Sequence, residues 1–82
     1  MAKQNNTITV DVHNLYVADA LQCLRDKIAQ AHHTTEKIIV VHGYNNGTAI
    51  KDALRKLRSP RILEIAPSSL NPGITTIWLK RS

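Results

Sequence analysis

Asp11 and His13 stand two residues apart in the chain, and His42 with Gly43 follows much later. A carboxylate beside an imidazole favours its protonated form and can fix its tautomer, which suits a general acid or base working near neutral pH. On an extended segment, residues two apart project from one face, about 6–7 Å apart along the chain. His42, arriving from a separate segment, supplies a second imidazole, and two histidines with one acid can move protons on and off a substrate. Taken alone, Asp11 and His13 also read as a solvated polar pair on the exposed side of a strand.

Directly after His42 comes Gly43-Tyr44-Asn45-Asn46-Gly47. Such a loop leads into a helix start, where unpaired backbone N–H groups and the macrodipole favour an anion such as a phosphate. It is not a P-loop, because only three residues separate the glycines and no Lys-Ser or Lys-Thr follows Gly47, and the dinucleotide fingerprint is absent too. An ordinary tight turn is the competing reading. Lys51 falls in the first helical turn, where the dipole disfavours a cation, and Arg55 and Arg58 follow at four- and three-residue spacing. A phosphate backbone offsets that repulsion, with Lys56 and Arg61 extending the positive region, whereas a solvated helix face relieved by Asp52 needs no ligand. Tyr44 is the best placed ring for stacking a base. Trp78 shares a strand face with Thr76 and Lys80 and either stacks a base or shields the sheet. His32 and His33 sit near a helix carboxyl end and suit its dipole.

The elements that must position these residues follow from periodicity. Thr7 to His13 alternates, with Ile8, Val10 and Val12 on one side and Thr7, Thr9, Asp11 and His13 on the other, as in a half-buried strand. From Val17 to Ala31, Val17, Ala20, Leu21, Leu24, Ile28 and Ala31 form one helical stripe, with Asp19 suited to the first turn. Lys37 to His42 is a β-branched run without alternation, as expected of an interior strand covered on both faces. A second helix is expected over 48–58, with Thr48 as N-cap and Ile50, Ala53, Leu54 and Leu57 inward, until Ser59-Pro60 stops it. Arg61 to Ala66 and Ile74 to Lys80 read as strands, joined by turn chemistry from Pro67 to Gly73.

The order is therefore βαβαββ, an α/β (two-layer α+β) fold with a four-stranded mixed sheet and two helices. A strand–helix–strand unit closes as a right-handed crossover with parallel strands. The ends of the first two strands, carrying His13 and His42, then open on one edge of the sheet, where ligands sit in α/β structures. With only two helices, one face of the sheet is expected to stay partly open.

At 82 residues the chain is bounded to one domain with a small core, here 7–82 behind a flexible tail of 1–6. Its longest apolar runs, such as Ile38-Ile39-Val40-Val41, fall far short of the roughly 20 residues that cross a membrane. Cys23 is the one cysteine, so no internal disulfide and no thiolate zinc cluster can form, and a reducing, cytoplasmic setting is expected. A net charge of +5 favours a polyanionic partner, while aromatics at 4% argue against a broad stacking platform.

Val10-Asp11-Val12-His13-Asn14, then an amphipathic helix, then Val41-His42-Gly43-Tyr44-Asn45-Asn46-Gly47, resembles the Smr (small MutS-related) domain over about Ile8 to Lys80. That family has Leu-Asp-Leu-His-Gly after its first strand and His-Gly-x-Gly-x-Gly after its second. Its βαβαββ fold is similar to the C-terminal domain of the third bacterial translation initiation factor. The resemblance implies nicking of DNA or endonucleolytic cleavage of RNA, with Asp11, His13, His42, Gly43 and Gly47 on motif positions and Lys51 where a basic residue is frequent. Asn14 and Asn45 replace motif glycines, and Asn is the residue best able to take over a left-handed glycine conformation.

The expectation is an endonuclease or nickase in which His13 and His42 share acid and base roles. Asp11 orients His13 or holds a Mg²⁺, and the loop after His42 binds phosphate oxygens. The rival is a nucleic-acid or ribosome-binding module without catalysis, held by Lys51, Arg55, Arg58 and Tyr44. A protein-interaction domain is a third option.

Overall fold

Alternation and helical periodicity resolve into six elements: β1 (Thr7–Asp11), α1 (Val17–Gln30), β2 (Lys37–Val41), α2 (Gly47–Leu54), β3 (Ile62–Pro67) and β4 (Ile74–Leu79). This computed structural model describes residues 6–43 and 47–80, with backbone alone at 47 and 48. The four strands form one mixed sheet in the order β1-β2-β4-β3. β1 and β2 run parallel, as the α1 crossover requires, while β4 is antiparallel to both β2 and β3.

Register decides which side chains share a face. Val10 pairs with Val40 and Val40 with Thr75; Ile8 pairs with Ile38 and Ile38 with Ile77. Both helices lie on the face these residues share, and the core forms there from Val10, Val12, Ile38, Val40, Ile77 and Leu79 beneath Ala20, Leu24, Ile28, Ile50, Leu54 and Leu57. The opposite face, with Thr9, Asp11, Lys37, Ile39, Thr76 and Trp78, carries no helix. The β-branched run in β2 is thus fully buried on one side only: Ile38 and Val40 are sealed, whereas Ile39 and Val41 are half-buried.

Two expectations about α2 need correction. The helix ends at Leu54, not at Arg58, because Lys56 and Leu57 donate backbone N–H bonds to Ala53 and Leu54, three residues back, tightening the chain out of the α form. Leu57 still reaches the core from that turn. Thr48 is already helical and so is not the N-cap.

Arg61 does not extend a free positive surface. Its guanidinium donates to the carbonyls of Ile28 at 2.7 Å and Ala31 at 2.8 Å, and more weakly to His32, closing the carboxyl end of α1. The last carbonyls of a helix lack intrahelical partners and carry the negative end of the dipole, so a forked cation satisfies both demands. None of the described helices is long and apolar enough to cross a membrane.

Candidate functional site

Parallel pairing brings the carboxyl ends of β1 and β2 to one edge of the sheet, where Val12 donates its N–H to the Val41 carbonyl. Asp11 closes β1 on the open face, and the chain then turns, with Leu15 donating back to the Val12 carbonyl. Within that turn the His13 backbone N–H donates to Asp11 Oδ1 at 3.1 Å, and the ring Nδ1–H donates to the same oxygen. A carboxylate only accepts, so this contact places the ring hydrogen on Nδ1 and leaves Nε2 as the acceptor. Nε2 has no partner among the described residues, and the two side chains are 48% and 56% exposed. The ring hydrogen bond, then the backbone one, hold the Asp11 carboxyl below the ordinary carboxylate range.

His13 opens onto a cleft of about 410 Å³ lined also by Asn14, Leu15, Tyr16, Val17, Ala49 and Ile50. The cleft thus lies between the approach to α1 and the first turn of α2. Tyr16, 81% exposed, borders it with an aromatic ring. Tyr16 follows His13 by three residues, and that spacing across the turn marks it as a neighbour.

His42 is arranged in the opposite way. Continuing the parity of Ile38 and Val40, its ring turns to the helix-covered side and is 1% exposed. Nδ1–H donates to the Gly43 carbonyl at 3.2 Å, and Nε2 bonds the Thr75 hydroxyl at 2.8 Å. Both ring nitrogens are occupied by the protein, so the ring as placed presents no free nitrogen at the surface. The two histidines expected to share acid and base roles thus stand in different settings: His13 is presented to solvent, and His42 ties β2 to β4.

The two segments nonetheless meet. Gly43 adopts φ +80°, a left-handed conformation suited to glycine, and a Cβ there would stand 3.3 Å from the His13 Cβ. Behind it the Gly73 carbonyl accepts the N–H groups of both His42 and Gly43, at 2.9 and 3.0 Å. A Cβ on Gly73 would reach the Gly43 Cα at 3.3 Å, so the three backbones pass close together. Gly73 had stood out only as a turn residue; the close approach is what its missing side chain serves.

The expected phosphate contacts divide. Tyr44, Asn45 and Asn46 lie outside the described residues, and of Gly47 only its place at the start of α2 is described. Lys51 is half-buried on α2 and is not among the residues of the His13 cleft. Arg55 and Arg58 are exposed and line one groove against β3, together with Leu63 and Glu64. Arg58 also borders Ile28 and Ala29, at the far end of α1 from the His13 cleft. A 14-residue helix is about 21 Å long, so the arginines and the dyad occupy separate ends of the molecule.

Among the described residues, no group of three or more His, Cys, Asp and Glu side chains gathers as a metal site. Asp11 is a single carboxylate already engaged by His13, a poor donor set for a protein-held Mg²⁺, and no step is derived through one.

No known family's sequence model matches the chain, and no curated protein matches it in sequence.

Proposed function

We propose that this chain is a nucleic-acid-binding domain that cuts phosphodiester bonds, most readily in RNA, with His13 as general base and Asp11 as its positioning partner. The observation that carries this reading is the Asp11–His13 pair: a half-exposed ring held by its Nδ1–H on a carboxylate at the sheet edge, with Nε2 unpartnered among the described residues. RNA brings its own nucleophile. His13 Nε2 removes the proton of a 2′-hydroxyl, the freed oxygen attacks the adjacent phosphorus, and the bond to the 5′-oxygen breaks. The products are a 2′,3′-cyclic phosphate and a 5′-hydroxyl, whose proton comes from a water that regains one from the His13 ring. DNA lacks that hydroxyl and needs an activated water instead. The net charge of +5 supports a polyanionic substrate, and the motif resemblance to the Smr domain points to the same chemistry.

The test incubates end-labelled RNA and supercoiled plasmid with wild type and His13→Ala, with and without chelator. Wild type is expected to give fragments ending in cyclic phosphate, and His13→Ala to cut at least about 100-fold more slowly. Equal product from both proteins overturns the assignment.

A second reading is a nucleic-acid or ribosome-binding module without catalysis, and the sealing of His42 favours it, since one imidazole then stands where the two-histidine scheme needs two. Ribosome co-sedimentation together with RNA binding that yields no cleavage would select it.

A further inference from the structure

The open face of the sheet has a feature that the proposed chemistry does not use. Thr7, Lys37 and Trp78 pair in one row across β1, β2 and β4, at the end of the sheet opposite to Asp11. Trp78 is 36% exposed, and the Lys37 ammonium lies 5.0 Å from its ring centroid. Thr9 and Thr76 add hydroxyls on the same face, and the exposed Lys80 follows Trp78 two residues on. With the Lys37 ammonium moved from the ring onto a phosphate, an aromatic ring with hydroxyls around it and no helix above it suits a stacked base.

We propose that this uncovered face binds single-stranded nucleic acid, with one base stacked on Trp78 and the strand running across β2 toward Asp11 and His13. The inference rests on the nucleic-acid reading above and adds the strandedness of the substrate and the surface that holds it. Three observations select this occupant. The dyad and the ring belong to one continuous surface: Asp11 lies four residues along and two strands across from Trp78, about 16 Å away by sheet geometry, which a few nucleotides span. Glu64 pairs beside Trp78 on β3 and Lys37 pairs beside it on β2, so the phosphate next to a stacked base is held on the β2 side of the ring. A second copy of the chain carries the same net charge of +5, which disfavours self-association. A duplex keeps its bases stacked inside and cannot offer one to the ring.

Trp78 is the one tryptophan in the chain, so its emission reports on this face directly. In a His13→Ala background, which leaves the substrate intact, a mixed-sequence single-stranded RNA of about ten nucleotides is titrated while tryptophan emission and the anisotropy of a labelled copy are followed in parallel. Both signals are expected to saturate together. Trp78→Phe should keep affinity within about threefold, and Trp78→Ala should lose about 5- to 150-fold. Lys37→Gln should lower the salt slope by about one. Anisotropy that saturates with emission unchanged, Trp78→Ala affinity within twofold of its parent, or equal quenching by a duplex would each overturn this inference while leaving nucleic-acid binding in place. Absence of binding to any single strand or duplex would remove the nucleic-acid reading itself.

Discussion

His42 Nε2 lies 2.8 Å from the hydroxyl of Thr75, a residue 33 positions further along the chain, and that buried bond joins the end of β2 to the start of β4. A histidine in a motif that promises chemistry is here a tie between strands. Its two nitrogens are satisfied by Thr75 and by the Gly43 carbonyl, whose residue in turn stands against His13. His42 therefore bears on the His13 site through the backbone at Gly43.

His42→Ala should accordingly act on stability first. It removes a sealed ring and leaves the Thr75 hydroxyl and the Gly43 carbonyl without their partner, a cost of about 2–4 kcal/mol. Urea unfolding followed by circular dichroism reads this directly. A variant as stable as wild type that has lost all cleavage would return His42 to a direct chemical role.

His13→Ala should do the reverse. The ring is exposed, so stability should stay within about 0.5 kcal/mol of wild type, while any cleavage falls by about 10²–10⁴. Asp11→Asn should reduce the rate with little effect on RNA affinity, because it disturbs the ring's hydrogen bond and leaves Trp78 and Lys37, at the other end of the sheet, in place. Retention of the full rate in Asp11→Asn would show that the ring needs no positioning.

The Asp11 carboxyl is held below its ordinary range by the His13 ring N–H and then by the His13 backbone N–H. A carboxyl depressed in the folded state stabilises above its unfolded value, about 3.9, and that contribution is lost as pH falls through the folded value. The difference in melting temperature between wild type and Asp11→Asn should therefore narrow below about pH 4. A difference that stays constant down to about pH 2.5 would mean that the pair does not contribute to stability.

Arg61→Ala should destabilise by about 1–3 kcal/mol, since it uncaps α1, and should leave the salt dependence of nucleic-acid binding unchanged. Arg55→Ala and Arg58→Ala should scarcely alter stability, and each should lower the salt slope by about one only where the groove at β3 touches phosphate. A slope lowered by Arg61→Ala and not by the other two would reverse these assignments.

Gly43→Ala places a Cβ 3.3 Å from that of His13 in a left-handed backbone, a strain of about 1–2 kcal/mol. It should shift the His13 ring, visible as a change in its imidazole proton resonances. Unchanged resonances would show that the two segments do not constrain each other.

The order βαβαββ, the parallel pairing of β1 with β2 and the open sheet face were legible from the chain because each rests on local periodicity or on the handedness of a crossover. So was the exposed placement of Asp11 and His13: polar residues alternating with Ile8, Val10 and Val12 have to face away from the core the valines enter. The facing of His42 was not legible. In Lys37 to Val41 every residue after the lysine is apolar, so nothing marks which alternate set faces the helices, and His42 inherits whichever parity the sheet selects. Only the register with β1 and β4, which aligns Val10, Val40 and Thr75, decided it.

The arginines divide in the same way. Charge and spacing correctly marked Arg55 and Arg58 as exposed, but Arg61 shares their chemistry and its task depends on where the carboxyl end of α1 falls in space, 30 residues from it in the chain. Local sequence settled what each segment becomes, since propensity and alternation act over a few residues. Tertiary packing settled which of two similar side chains meets water and which meets a carbonyl, since that depends on segments distant along the chain.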